Sequence, residues 1–191
     1  DFVLPAADGQ VRVQLTDEAT ARARLQAGEP ARRVYTKNIL FTGLQYSTCL
    51  YVGDYAAANS MQELAQSARG VQRLAVCRMD VDDLGQAFVA GFTRPGVQDP
   101  AQKNHYVTLS RTAALSRQMA LFFRWYINGI LSGEYQGCRA LQLAIVYSGG
   151  DDVFLVGAWN DVLEGAVRIR QALGTFSCGA LTISGGIGLF N

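Results

Sequence analysis

From residue 72 onward, short apolar runs of strand length alternate with longer stretches of helical spacing. Leu74-Ala75-Val76-Cys77-Arg78-Met79 predicts a central strand buried on both faces, and it runs straight into Asp80-Val81-Asp82-Asp83-Leu84-Gly85. Gln86–Phe92 continues as a helical turn, and Pro95–Pro100 reads as loop. Thr108 predicts the cap of one long helix, Leu109–Leu131, closed at Gly133. Its apolar stripe Leu115, Met119, Phe122, Phe123, Tyr126 and Ile130 keeps the three-four spacing. Two strand runs follow, Leu141–Tyr147 and Asp152–Val156, joined through Ser148-Gly149-Gly150-Asp151. Glycines between two such runs signal a hairpin, because primed turns need positive φ. Asp161-x-x-Glu164 predicts a capping box for a helix with the face Val162, Ala166, Ile169, Leu173, stopped at Gly174. Leu181–Phe190 supplies a last strand, with Gly185-Gly186 as a bulge or close-packing point.

Residues 1–70 are less regular. Val11–Leu15 and Thr48–Val52 read as strands, and Met61–Ala68 as a short helix ending at Gly70. The Ala/Arg-rich stretch Glu18–Arg33 has two open readings, a helix or a surface excursion. The change of pattern places a boundary near Gly70, with 1–70 as the end of a preceding linker domain and 71–191 as the main domain. That main domain reads strand, helices, strand-hairpin-strand, helix, strand. The order predicts an α+β, ferredoxin-like βαββαβ palm: an antiparallel sheet with helices on one face.

The 191 residues include 49% hydrophobic and 17% charged, enough for a core, and the formal charge is +1. So balanced a charge argues against a nucleic-acid binder held by a large basic field. Four cysteines without a Cys-x-x-Cys pair, and the single histidine His105, argue against zinc and fit a reducing cytoplasm. No secretory leader and no apolar run of membrane-spanning length is visible. A start without Met and an end on a strand-like run suggest a piece of a longer polypeptide.

The chemistry sits where apolar strands end in acids. With Gly149 and Gly150 at the centre of the turn, Ser148 lies opposite Asp151 and shares its face, while Tyr147 shares a face with Asp152. That alternation makes Asp151 the better partner for Asp80, whose strand lies at the sheet centre. Asp80 with a hairpin carboxylate forms an oxygen site for two ions of Mg²⁺ or Mn²⁺, with the Val81 carbonyl as a further donor. Such ions polarise a hydroxyl and neutralise a triphosphate during in-line attack. Gly149 and Gly150 let backbone N–H groups approach phosphate. The bland alternative is a hairpin tip with solvated acids. Two acid clusters, each ending an apolar strand, favour the metal site. Asp83 reads equally as helix cap or nucleotide contact, and Arg111 with Arg117 as triphosphate contacts or as a solvent stripe. Phe122, Phe123, Trp125 and Tyr126 read as core or interface, and His105 as a surface loop residue.

Several motifs together resemble a known family. They are Val34-Tyr35-Thr36-Lys37-Asn38, Tyr51-Val52-Gly53-Asp54-Tyr55, Arg78–Gly85, Leu109–Arg117, Tyr147–Asp152 and Ser184–Gly188. In combination they resemble the second palm of the large polymerase-cyclase subunit of type III-A CRISPR effector complexes (the Csm type). The resemblance implies a nucleotidyltransferase that joins ATP into cyclic oligoadenylates when its complex binds target RNA, as second messengers of antiviral defence. It implies Asp80, Asp151 and Asp152 as metal-binding catalytic acids, with Ser148, Gly149 and Gly150 near the nucleotide. The implied partners are other subunits of the complex, guide RNA, target RNA and the first palm of the same subunit. The family's HD nuclease needs a His-Asp cluster that a chain with one histidine does not hold, and the resemblance implies an active site built between two palms, so half of that site is expected here. Two other readings stand beside this one. Diguanylate cyclases carry a related turn and use GTP, but follow Gly-Gly-Asp with Glu-Phe where this chain has Asp152-Val153. A non-catalytic scaffold fragment of an RNA-guided complex is the third.

Overall fold

The computed structural model describes residues 2–7, 9–30, 33–40, 47–135 and 137–190. Contacts divide the chain into Asp1–Leu50 and Tyr51–Asn191. This division by contacts falls after Leu50, ahead of the change of sequence pattern near Gly70. The signals read at Gly70 mark the end of a helix inside the second unit.

In the first unit β1 (Phe2–Ala6) pairs antiparallel with β2 (Gly9–Val13). The Ala/Arg-rich stretch forms a helix, α1 (Glu18–Gln26); its residues 31 and 32 lie outside the described residues. Asp17 caps α1 by accepting from the Thr20 N–H at 2.8 Å. No α1 side chain is buried, so local terms such as the Glu18–Arg22 pair hold it. β3 (Val34–Lys37) pairs parallel with β4 (Ser47–Leu50).

The second unit contains α2 (Met61–Gln66), β5 (Leu74–Val81), α3 (Leu84–Ala90), α4 (Pro100–Lys103) and α5 (Leu109–Leu121). A π-helical turn (Phe122–Tyr126), α6 (Ile127–Ser132), β6 (Leu143–Gly149), β7 (Asp152–Ala158), α7 (Trp159–Phe176) and β8 (Ile183–Phe190) follow. The strands form one antiparallel sheet in the order β6-β7-β5-β8. This is the expected βαββαβ palm, with its first strand inside the sheet. Ala75, Cys77, Met79 and Val81 of β5 and Val153 and Leu155 of β7 point to one face. There they pack with Phe122, Phe123, Ile127, Leu131, Val162 and Ile169 of the helices. Burying each of these large side chains contributes about 2 kcal/mol.

Four local expectations change. β5 is not buried on both faces: its burial alternates, leaving Arg78 and Asp80 exposed. The opposite sheet face is covered only at one end, where α2 packs on β7 and β5 and Leu64 and Val156 are buried. The long helix is not continuous, because the π turn admits one extra residue and brings both Phe122 and Phe123 into the core. Such an insertion leaves the apolar stripe almost unchanged, so spacing alone does not reveal it. Asp161 and Glu164 form no capping box. α7 starts at Trp159, two residues earlier, and both acids bind arginines. Gly174 does not stop α7, which runs on to Phe176.

Candidate active site

The open end of the sheet gathers the acids. Asp80 on β5 lies directly opposite Asp152 on β7 and opposite Ser184 on β8. Residues opposite each other share a face, so Asp80 and Asp152 both project from the face that α2 leaves uncovered. Asp151 occupies the adjoining turn, and its carbonyl accepts from the Val81 N–H at 3.0 Å. Partial burial, then the charges of Asp151 and Asp152, push the Asp80 carboxyl above its ordinary range, while Arg78 opposes them. Among the described residues neither Asp80 nor Asp151 has a side-chain hydrogen bond or ion pair. Asp152 has one partner: Arg78 donates to its Oδ2 at 3.3 Å.

The turn is one residue away from its expected position. A bulge at Val146 shifts the β6 register, so Gly149 pairs with Asp152 and the two turn residues are Gly150 and Asp151. Gly150 alone supplies the positive φ, 69°. Tyr147 shares the face of Asp152 as expected and Ser148 lies on the other; what changes is the partner of Asp80. Asp152, not Asp151, is the cross-strand partner of Asp80. Ser148 lies opposite Val153 on the core face, where its hydroxyl donates to the Phe123 carbonyl at 2.5 Å. Ser148 therefore ties the turn to the helix instead of facing the acids beside a nucleotide. Gly149 is buried beneath Tyr147, whose hydroxyl donates to the Gly149 carbonyl at 3.4 Å. At Gly150 an added Cβ meets nothing within 4 Å, so backbone there is open to a ligand.

Beyond Val81, which is buried and offers only main-chain atoms, the loop to α3 is held in place by Asp82. Its Oδ2 accepts from Thr182 Oγ1 at 2.6 Å and from Ser184 Oγ at 3.0 Å. These hydroxyls hold the Asp82 carboxyl below its ordinary range. Asp83 follows at a left-handed φ of 51° and makes no side-chain cap, so its cap reading fails. Strained non-glycine backbone of this kind gathers at functional sites. Asp82, Asp83, Gln86, Arg111, Gln118 and Thr182 line a groove of about 1030 Å³ between α3, α5 and the start of β8. Arg111 stacks on Tyr106, with its guanidinium 4.4 Å from the ring centroid.

Three contributors escaped the sequence reading. Arg78 sits two residues before Asp80, and strand alternation puts it on the same face; reading β5 as buried on both sides hid that. Asn128 accepts from the N–H groups of Asp54 and Tyr55 and donates to the Val52 carbonyl, pinning that segment to α6. Asp82 reads from sequence only as one acid among the three of Asp80–Asp83.

The donor set suits a hard divalent cation. Asp80, Asp151 and Asp152 offer oxygen ligands, and crowded carboxylates favour a cation between them. Among the described residues no group of three or more His, Cys, Asp and Glu converges to hold an ion by itself. Mg²⁺ takes one or two carboxylates and completes its shell with water and phosphate.

Residues 73–191 match the family described as Cas10/Cmr2, second palm domain. A relative from Mycobacterium tuberculosis, named CRISPR system single-strand-specific deoxyribonuclease Cas10/Csm1 (subtype III-A), is 43% identical over 180 residues. The match covers 90% of this chain and 21% of the relative. The protein of the same name from Streptococcus thermophilus is 44% identical over 166 residues, 85% of this chain and 20% of its own. The chain thus spans about a fifth of the length of these curated relatives. Among solved structures it is similar to a chain of the Csm1–Csm4 cassette in complex with cA4. The TM-score is 0.69 at 29% identity, over 87% of this chain and 25% of that one. For the cassette in complex with one ATP the TM-score is 0.65 at 30% identity, over 82% and 23%. Sequence and fold agree: this chain belongs to the Cas10/Cmr2 family and carries its second palm domain.

Proposed function

We propose that this palm binds ATP with two divalent ions, Mg²⁺ or Mn²⁺, and supplies half of a cyclic oligoadenylate synthase. The observation that carries this reading is Asp80 directly opposite Asp152 at the uncovered end of the sheet, with Asp151 in the next turn. Asp80, Asp151, Asp152 and the Val81 carbonyl are the assigned metal ligands, and the three acids are the catalytic residues. When bound, the ions supply charge neutralisation to the triphosphate and acidify the attacking hydroxyl. The open backbone at Gly150, next to Gly149, receives phosphate oxygens. Asp83 and Arg111 contact the nucleotide from the groove, where Arg111 faces the polyphosphate. Ser148 acts by holding the turn.

In the full subunit a first palm completes the site. Target RNA, bound through a guide RNA and the other subunits of a type III-A complex in the cytoplasm, switches on synthesis for antiviral defence. The complexes of the similar solved structures with cA4 and with ATP support an adenine nucleotide over GTP. Among the described residues no helix is long and apolar enough to cross a membrane.

The test supplies the assembled complex with ATP, Mg²⁺ and target RNA and reads products by mass spectrometry. The doubly substituted Asp151→Ala/Asp152→Ala complex is expected to make no cyclic oligoadenylate; undiminished product overturns the assignment. The chain alone is expected to bind ATP weakly and to turn over negligibly.

A further inference from the structure

Arg78 is a cation placed among the acids before any ligand arrives. It precedes Asp80 by two residues on β5, so the pleat directs both side chains to the same face. Asp152 lies opposite Asp80, which puts Arg78 on the diagonal from Asp152, within reach of a long side chain. The guanidinium takes this diagonal: its Nη2 lies 3.3 Å from Asp152 Oδ2. The two partners differ in freedom. The Asp152 side chain is 20% exposed, whereas that of Arg78 is 75% exposed. The carboxylate is held, and the guanidinium can leave at little desolvation cost.

There is also somewhere for it to go. On the other side of β5, Arg78 lies opposite Gly186 of β8. An added Cβ at Gly186 meets nothing within 4 Å, so this side of Arg78 is open. One side therefore offers an anion and the other offers space.

We propose that Arg78 is a displaceable counter-ion that competes with the divalent cation for Asp152 and sets how tightly the metal binds. A guanidinium hydrogen-bonded to Oδ2 and an ion coordinated by that oxygen exclude one another, since Mg²⁺ and Mn²⁺ need the lone pairs that Arg78 engages. Arg78 lowers metal affinity by stabilising the metal-free carboxylate, and on metal binding it swings over Gly186. The result is a site whose affinity for the ion alone is reduced, and which gains affinity when the ion arrives with further ligands such as the phosphates of a nucleotide. This inference rests on the metal reading above, and the test separates the two.

Mn²⁺ alone is titrated into the full chain, and free Mn²⁺ is read by electron paramagnetic resonance, for the wild type, Arg78→Gln and Asp80→Asn. Arg78→Gln is expected to bind Mn²⁺ about five-fold more tightly, the size of an exposed ion pair. The gain is expected to shrink in high salt, because the pair it removes is screened. Asp80→Asn is expected to lose binding. If Asp80→Asn loses binding while Arg78→Gln binds no more tightly than the wild type, the counter-ion role is overturned and the metal site stands. If the wild type binds no Mn²⁺, or Asp80→Asn binds as well as the wild type, both readings are overturned. Because Arg78 is largely exposed, its replacement leaves the fold in place; a matching thermal midpoint checks this.

Discussion

The second unit carries two acid clusters, and they are built in opposite ways. At one, Asp161 and Glu164 of α7 meet Arg139 and Arg168. Arg139 donates to Asp161 at 2.7 and 2.8 Å and to Glu164 Oε2 at 2.6 Å. Arg168 donates to Glu164 Oε1 and, at 2.9 Å, to the Arg139 carbonyl. The Gln142 N–H adds a bond to Asp161 at 2.7 Å. Burial alone would raise the Asp161 carboxyl; Arg139 and that N–H bring it below its ordinary range. At the other cluster Asp80, Asp151 and Asp152 crowd together with one arginine at 3.3 Å, and Asp80 is raised. Satisfied acids stabilise a fold. Acids short of partners cost stability and await a cation.

The largest break of this contrast is Asp161→Ala, which removes two of the bonds of Arg139 and strands the Gln142 N–H. It is expected to lower unfolding free energy by about 3 kcal/mol in a denaturant titration, at the lower end for a broken buried pair because Arg139 is partly exposed. Mn²⁺ binding by the folded fraction is expected to be unchanged. The sign with pH is fixed by a folded value below the unfolded one. The gap is full above the unfolded carboxylate range and closes as pH falls through the lowered folded value. Ser148→Ala comes next. It leaves the Phe123 carbonyl without its hydroxyl donor, and a loss of about 1 kcal/mol is expected in the same titration. The smallest effect has the opposite sign. Asp80→Asn removes a carboxylate whose folded value is raised, so ionisation of the wild type opposes folding. Without metal, the variant is expected to melt about 1–2 °C higher at neutral pH. That gain disappears as pH falls below the unfolded carboxylate range. A lower midpoint for Asp80→Asn at neutral pH would place Asp80 among the satisfied acids and dissolve the contrast.

Much of this was legible. The apolar runs located all four palm strands, and Gly133, with its φ of 82°, closes α6 as expected. Asp80 and the Gly149–Asp152 turn stood out as acids at strand ends, and the structure brings them together. What failed were statements that depend on one residue of register. Alternation from an assumed turn at Gly149-Gly150 put Ser148 beside the acids. The β5–β7 register makes Asp152 the neighbour of Asp80, and Ser148, opposite Val153, lies on the other face. Likewise Asp161 and Glu164 have the spacing of a capping box, yet Arg139, which binds both, comes from outside the helix.

By itself the sequence determined the βαββαβ order and the strand ends that bear acids, because periodicity, turn residues and residue type are local properties. Only the tertiary structure decided which carboxylates share a face, which acids are already paired, and that Ser148 is an anchor. Those depend on strand register and on cross-strand and cross-helix neighbours far apart in the chain. A period of two turns any one-residue shift into a change of face.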